Sequence, residues 1–194
     1  MGRRQIALLL LTALAAAASS SCAKKAKLVV GVEAQPAVAS RIGKIHYEAK
    51  VGANTIFTKD VLPKAADAPP FPFEMELAST PNTQVDVTID VYAAGPNDTV
   101  LTKRPILVRK LSAPLVPGDA KLARVKLEAG CMRGTPGFKG PKCPVDQTCF
   151  SGRCIDPTLL AEDLEPYAKD WAKNRPDVCK PPGAGPPELT VGTG

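Results

Sequence analysis

Five cysteines lie close together in the last third of the chain, and their spacing distinguishes metal binding and redox chemistry from disulfide formation. They are Cys131, Cys143, Cys149, Cys154 and Cys179. No two of them have the C-x2-C spacing that is typical of structural zinc sites and of redox-active dithiols. The cluster therefore predicts structural disulfides formed in an oxidising compartment. The sequence leaves their connectivity open, and we expect neither a metal nor another cofactor.

The chain has a single histidine, His46, which limits the acid–base chemistry that can be proposed. It falls on the polar side of an alternating segment, where a solvent-exposed side chain is expected. A nucleophilic triad would need this histidine in a cleft beside an acid and a hydroxyl or thiol. Without a second histidine, the usual zinc hydrolase sites also lack ligands.

Two pairs of carboxylates share strand faces. Asp86 and Asp90 alternate along one segment and, with Asp98, could suggest calcium, but calcium loops group their carboxylates within a few residues of irregular backbone. Glu74 and Glu76 share another face, with nothing in the sequence to separate their pKa values for acid–base catalysis. The aspartates are therefore predicted to be solvated, and no acid–base role is predicted for the glutamates.

These side chains must be positioned by short strands, because period-2 alternation of apolar and polar residues dominates the middle of the chain. The predicted strands are residues 28–32, 44–51, 55–58, 71–77, 85–91, 99–102, 106–110 and 123–127. Turn signals rich in Pro, Gly and Asn separate them. The pattern predicts an antiparallel β-sandwich of immunoglobulin or fibronectin-III type over residues 28–129. This segment holds neither Cys nor Trp, so its alternating aliphatic faces must stabilise it.

The composition changes after Gly130. Residues 131–154 are rich in Gly and Pro and predict a loop module held by disulfides. Next, Leu160, Leu164, Tyr167 and Trp171 recur at helical spacing and predict a short helix that packs on the sandwich, broken or kinked near Pro166. The cysteine-rich module with its helix spans residues 130–179, and the Pro- and Gly-rich residues 180–194 predict a disordered tail.

The beginning of the chain is typical of a secretory signal. Arg3 and Arg4 precede an uncharged run rich in Leu and Ala, and three serines lead into Cys22. The apolar run is shorter than the roughly 20 residues that span a bilayer, so we predict a removable signal peptide over residues 1–21. Residues 22–27 would then form a basic tether.

The small residues followed by Cys22 resemble the lipobox of bacterial lipoproteins. That resemblance implies cleavage before Cys22 and lipidation of its sulfur, which anchors the protein to a membrane. Lipidation leaves an odd number of cysteines, and Cys179 is then the expected unpaired one. The alternative is cleavage after residues 16–18, which leaves Cys22 available for a disulfide.

The run Cys143-Pro-Val-Asp-Gln-Thr-Cys149-Phe-Ser-Gly-Arg-Cys154 is the most informative motif. It resembles the CPxGQTCxxGxC module at the ends of uncharacterised exported proteins and lipoproteins of myxobacteria, several of which have a small β-sandwich before it. Asp146 stands where the module usually has Gly. The resemblance implies a location in the cell envelope and no particular activity.

The formal net charge of +6 comes from scattered basic residues in a chain with only 5% aromatics, which does not suggest nucleic-acid binding. We therefore expect an exported monomer at the outer membrane or periplasmic face, or otherwise a secreted protein. Its expected role is non-enzymatic binding or scaffolding with an envelope protein or polysaccharide. The alternatives are a secreted hydrolase or enzyme accessory subunit, and a small disulfide-stapled protease inhibitor.

Overall fold

The structure is a computed structural model that describes residues 26–62, 71–94, 104–134 and 136–173. Its regular secondary structure consists of ten β-strands and little helix. The strands are β1 (Ala26–Ala34), β2 (Ile42–Val51), β3 (Asn54–Val61), β4 (Phe73–Ser79), β5 (Gln84–Ala93), β6 (Leu107–Pro114), β7 (Lys121–Leu127), β8 (Thr148–Phe150), β9 (Arg153–Ile155) and β10 (Glu165–Pro166). The predicted signal peptide, Cys22, strand 99–102, Cys179 and tail 180–194 lie outside the described residues.

The strands form two four-stranded sheets and one short hairpin. Sheet A has the order β10-β7-β1-β4, and sheet B has the order β3-β2-β5-β6. The hairpin pairs β8 with β9 and lies in the cysteine-rich segment. The mainly β fold that the alternation predicted is confirmed.

Alternation places one side of each sheet in a shared core. On β5, for example, Val85, Val87, Ile89 and Val91 are buried, while the residues between them are exposed or half-buried. The core cluster takes residues from both sheets and also includes Cys131, Cys149 and Leu164. The cysteine-rich segment thus packs directly against the sheets.

The first strand is covered on both faces. Leu28, Val30 and Val32 point into the core. On the outer face, Val29 packs with Leu122 and Trp171 in a second apolar cluster. A strand buried on both faces has a nearly continuous apolar sequence, which accounts for the weak alternation of β1.

One strand pair differs from the antiparallel arrangement predicted. β1 pairs in parallel with β7, from Leu28 opposite Lys121 to Ala34 opposite Leu127. The other strand pairs of the described residues are antiparallel. Parallel partners need a long connection, and here the chain between β1 and β7 forms all of sheet B and β4.

The short helix predicted from the spacing of Leu160, Leu164, Tyr167 and Trp171 is wrong. This segment contains a 3-10 turn at Ala161–Asp163, and Pro166 then pairs with Lys121 in the short strand β10. Proline lacks the N–H that a helix interior needs, and it is tolerated in a strand at the edge of a sheet. Leu164 and Trp171 are buried against the sheets, but Leu160 is exposed. The described α-helix is instead α1 (Pro36–Ala39), which links β1 to β2.

Two disulfides hold the cysteine-rich segment, as its clustered cysteines predicted. Cys131 bonds to Cys149, and Cys143 bonds to Cys154. The two bonds cross in sequence, because Cys143 lies inside the loop closed by the first and Cys154 lies outside it. Each therefore restrains the loop that the other closes.

Candidate functional site

A cleft of about 150 Å³ lies where the edge of sheet B meets the disulfide segment. Val108 and Lys110 of β6 form one wall, and Cys143 and Gln147 form part of the other. Cys131 and Cys149, which are joined by a disulfide and almost fully buried, also line it. This cross-link fixes the position of the second wall relative to the sheet.

Lys110 holds the disulfide segment against β6. Its backbone N–H donates a hydrogen bond to the hydroxyl of Thr148 over 2.8 Å, and its Nζ donates to the carbonyl of Val145. An ammonium group carries three donors, so Lys110 can still donate to a ligand. Arg133 supplies the second positive charge in the lining, and its backbone N–H donates to the carbonyl of Ile106.

Asp90 lies beside the cleft, opposite Val108 in the strand register. Burial raises the pKa of its carboxyl group, and the positive charges of His46, Lys110 and Arg133 act against that rise. The two cations of the cleft thus already interact with a carboxylate on the adjacent strand.

His46 lies on the outer face of sheet B, as predicted from the alternation. Its Nδ1 donates a hydrogen bond of 2.7 Å to Asp60 on β3. That bond, the largest cause, lowers the pKa of the Asp60 carboxyl group, with help from the charge of Lys44. The structure thus brings the histidine to an acid on an open strand face, an arrangement typical of a cross-strand ion pair.

The remaining carboxylates singled out in the sequence have different partners. Asp86 accepts a hydrogen bond from Ser112, whereas Asp90 interacts with the charges of His46, Lys110 and Arg133. Glu76 pairs with Lys27, whose Nζ lies 2.7 Å from its carboxylate. Within the described ranges, no group of three or more His, Cys, Asp or Glu residues could hold a metal ion. Asp98 lies outside those ranges.

Glu74 anchors the end of the described chain to sheet A. It accepts a hydrogen bond of 2.9 Å from the Tyr167 hydroxyl and another from the Trp171 indole N–H. Gly31 leaves room for the Trp171 ring, because a Cβ at that position would lie 2.5 Å from a ring carbon. We call residues 156–173 the C-terminal arm.

Arg109 of β6 makes a second contact between sheet B and the disulfide segment. The residue is only 6% exposed, and its guanidinium lies 5.5 Å from the centre of the Phe150 ring. Burial lowers its pKa, and the charge of Glu128 opposes that shift. Its Nε and Nη1 have no hydrogen-bond partner among the described residues. Glu128 in turn accepts a hydrogen bond of 2.7 Å from the backbone N–H of Ser151.

Sequence reasoning found the cysteines of the cleft but missed its cations. Lys110 lies on the polar side of a predicted strand, and Arg133 lies in a predicted loop, so each resembled an ordinary solvated charge. The signal that could have linked them is the disulfide pairing, which the sequence left open. The bond from Cys131 to Cys149 returns the segment after Arg133 to the end of β7, and the hydrogen bonds of Lys110 to Val145 and Thr148 hold it against β6.

Comparisons with protein-family models, curated proteins and solved structures find no significant match to this chain. Among the described residues, no helix is both long and apolar enough to cross a membrane. The function therefore has to be argued from the sequence and the geometry above.

Proposed function

We propose that this chain is a non-enzymatic, lipid-anchored protein of the cell envelope that binds or scaffolds another envelope component. The observation that carries the proposal is the pair of crossed disulfides, because such bonds persist in exported proteins and are rare in the cytosol. The signal-like residues 1–21 support the same compartment.

The disulfide pairing limits the cysteines with which Cys22 could form a bond. Four of the six cysteines bond to one another, so only Cys22 and Cys179 are left. Either these two pair with each other, or Cys22 is lipidated and Cys179 has no partner within the chain. The lipobox resemblance favours lipidation.

The direction of β1 supports an anchor at that position. Cys22 precedes Ala26 by four residues, a distance of at most about 14 Å in a fully extended chain. β1 then runs for 9 residues, or about 30 Å, towards Ala34, which pairs with Leu127 just before the disulfide segment. A lipid on Cys22 would thus hold one end of the sandwich near the membrane and present the cleft at the other end.

The fold and the histidine support a binding role. Two four-stranded sheets that share one apolar core are consistent with an immunoglobulin or fibronectin-III-like sandwich, a scaffold that presents binding surfaces at its ends. Its parallel pair of β1 and β7 would be a variation on that arrangement. His46, on which a hydrolase would depend, is engaged by Asp60 on an exposed strand face.

Intact mass spectrometry of the exported protein, with and without reduction, tests this proposal. We expect a chain that begins at Cys22 and carries a diacylglyceryl group, with a mass gain of about 4 Da on reduction, because each of the two disulfides takes up two electrons and two protons. The Cys179→Ala variant should show the same lipid mass and the same gain. An unmodified Cys22 bonded to Cys179 would overturn the lipid anchor.

A further inference from the structure

The rest of the chain covers the edge of β6 except at one residue of the cleft, Val108. On one side of it, the carbonyl of Ile106 accepts a hydrogen bond from the backbone N–H of Arg133. On the other side, the backbone N–H of Lys110 donates to the hydroxyl of Thr148. Because every second residue of an antiparallel ladder points its N–H and C=O away from the partner strand, Val108 directs both groups into the cleft. No residue in the described part of the chain bonds to them.

The two contacts that flank Val108 limit the kind of ligand that fits. A peptide that continued along β6 in both directions would need the positions that Arg133 and Thr148 already occupy. The cleft therefore suits a ligand that meets one strand residue only and ends there. The C-terminal residue of a peptide is such a ligand, because its amide N–H can donate to the carbonyl of Val108 while its carboxylate accepts from the N–H.

The charges around Val108 favour a ligand with one negative group. Lys110 and Arg133 both line the cleft, together with the amide of Gln147, and the described lining contains no carboxylate. Asp90, on the neighbouring strand, compensates one of the two positive charges. One positive charge is left for a ligand, in a partly enclosed setting where charged contacts are stronger than in water.

The size and rigidity of the cleft restrict the terminal residue further. A volume of about 150 Å³, similar to that of a cavity that holds benzene, accommodates a small residue. The apolar part of the wall, formed by Val108, Pro141 and Pro144, suits a small aliphatic side chain. Cys143 and Cys149 also line the cleft, and each is held by a disulfide. The wall is thus preformed, which reduces the entropy lost when a ligand binds.

We propose that the cleft binds the C-terminal residue of a partner peptide through its free carboxylate. The carboxylate accepts from the N–H of Val108, and Lys110 and Arg133 compensate its charge. In the antiparallel orientation the carboxylate lies towards Ile106, whose carbonyl holds the backbone of Arg133. Capture of a terminal carboxylate is a recurring mode of peptide recognition. This inference rests on the proposed binding role and names the class of partner.

Titration of the isotope-labelled, exported full chain with small ligands, followed by NMR, tests this proposal. The chain carries Cys22→Ser, so the result does not depend on lipidation and can fail separately from the anchor. The probe is acetyl-alanine, which has both the amide and the carboxylate. Acetyl-alanine methylamide lacks the free carboxylate, acetate lacks the amide, and inorganic phosphate is a further probe. We expect saturable shifts of the Val108 amide, with acetyl-alanine bound about tenfold more tightly than the methylamide and about fivefold more tightly than acetate.

Three protein variants make the test specific. Arg133→Gln should weaken binding of acetyl-alanine about tenfold, since it removes a charge-assisted contact. Arg153→Gln, a matched change at an exposed arginine of the same segment that is outside the cleft lining, should leave the affinity within about twofold. Asp90→Asn removes the carboxylate that competes for the cations, and it should tighten binding about threefold.

Other results would overturn the proposal. Equal affinity for acetyl-alanine and its methylamide would show that the cleft does not select a terminal carboxylate, and the absence of saturable shifts would exclude binding at Val108. Equal or stronger binding of phosphate at the same amide would identify a general anion site in place of a site for a peptide terminus. A well-dispersed spectrum of Arg133→Gln separates lost binding from misfolding.

Discussion

At the scale of single residues, the contact between His46 and Asp60 makes one carboxyl group unusually acidic. The hydrogen bond from the imidazole stabilises the carboxylate more than its slight burial disfavours it, so the pKa of Asp60 is lowered in the folded chain. A lowered pKa means that the contribution of Asp60 to stability is complete above the unfolded pKa of about 3.9. That contribution is lost as the pH falls through the folded value.

We therefore expect His46→Ala to raise the pKa of Asp60 in the folded protein towards its ordinary value. An NMR titration of the side-chain carboxyl carbons measures this pKa directly. Asp156 is the internal control, because its pKa is lowered by hydrogen bonds from Thr158, which the substitution leaves in place. An unchanged pKa at Asp60 would show that the contact does not form in solution.

Another residue, Tyr47, shows that this core tolerates a buried polar group. Its ring is fully buried and stacks on Phe73, with 4.8 Å between the ring centres. Its hydroxyl has no hydrogen-bond partner among the described residues, and burial raises its pKa. The phenol therefore stays neutral at physiological pH and acts as a hydrophobic side chain.

At the scale of secondary-structure elements, the C-terminal arm packs on the outer face of sheet A and stabilises it. The Trp171 ring lies over Gly31 and is 3% exposed, and the Arg124 guanidinium lies 5.1 Å from its centre. Arg124 also forms a salt bridge of 2.9 Å with Glu165 in β10. The arm thus covers the apolar outer face of β1, which would otherwise be exposed to water.

Trp171→Ala should lower the free energy of unfolding by about 3 kcal/mol, the range found when a buried aromatic side chain is truncated. Urea unfolding followed by far-UV circular dichroism measures the loss. Trypsin should also cleave after Lys169 faster in this variant, because the arm is no longer fixed to the sheet. Lys173→Ala, at the end of the arm, is the control, and an equal loss there would contradict a specific role for the indole.

The strands could be predicted from the sequence wherever one face of the strand is buried and the other is exposed to solvent. β2, β4, β5 and β7 have this alternation, and each lies within a few residues of its predicted position. The parallel pairing of β1 with β7 could not be predicted, because it depends on residues far apart in the chain. The helical spacing in the C-terminal arm was misleading, since Pro166 favours an extended edge strand and the apolar side chains still reach the sheet.

At the scale of the whole molecule, the two disulfides differ in exposure. Cys131 and Cys149 are 3% and 4% exposed and belong to the core shared by both sheets. Cys143 and Cys154 are half-buried. Since a reductant must reach the sulfur that it attacks, access is an important determinant of which bond opens first.

We expect mild reduction to open the bond from Cys143 to Cys154 before the bond from Cys131 to Cys149. Stepwise reduction with differential alkylation and peptide mass spectrometry reveals the order. Replacing Cys131 and Cys149 together by Ser should cost about 3 kcal/mol of stability for a loop of this length, in addition to lost core packing. Earlier labelling of Cys131 and Cys149 would show that the module opens before it is reduced.

The position of Trp171 over Gly31 has one practical consequence. It is the only tryptophan in the chain, so the intrinsic fluorescence of the unlabelled protein comes mainly from the arm. Detachment of the arm should shift its emission to longer wavelength, because the indole moves from an apolar contact into water. Gly31→Ala should produce the same shift without altering the fluorophore, since the added Cβ would displace the ring. The chain thus carries its own optical probe of whether the C-terminal arm is docked.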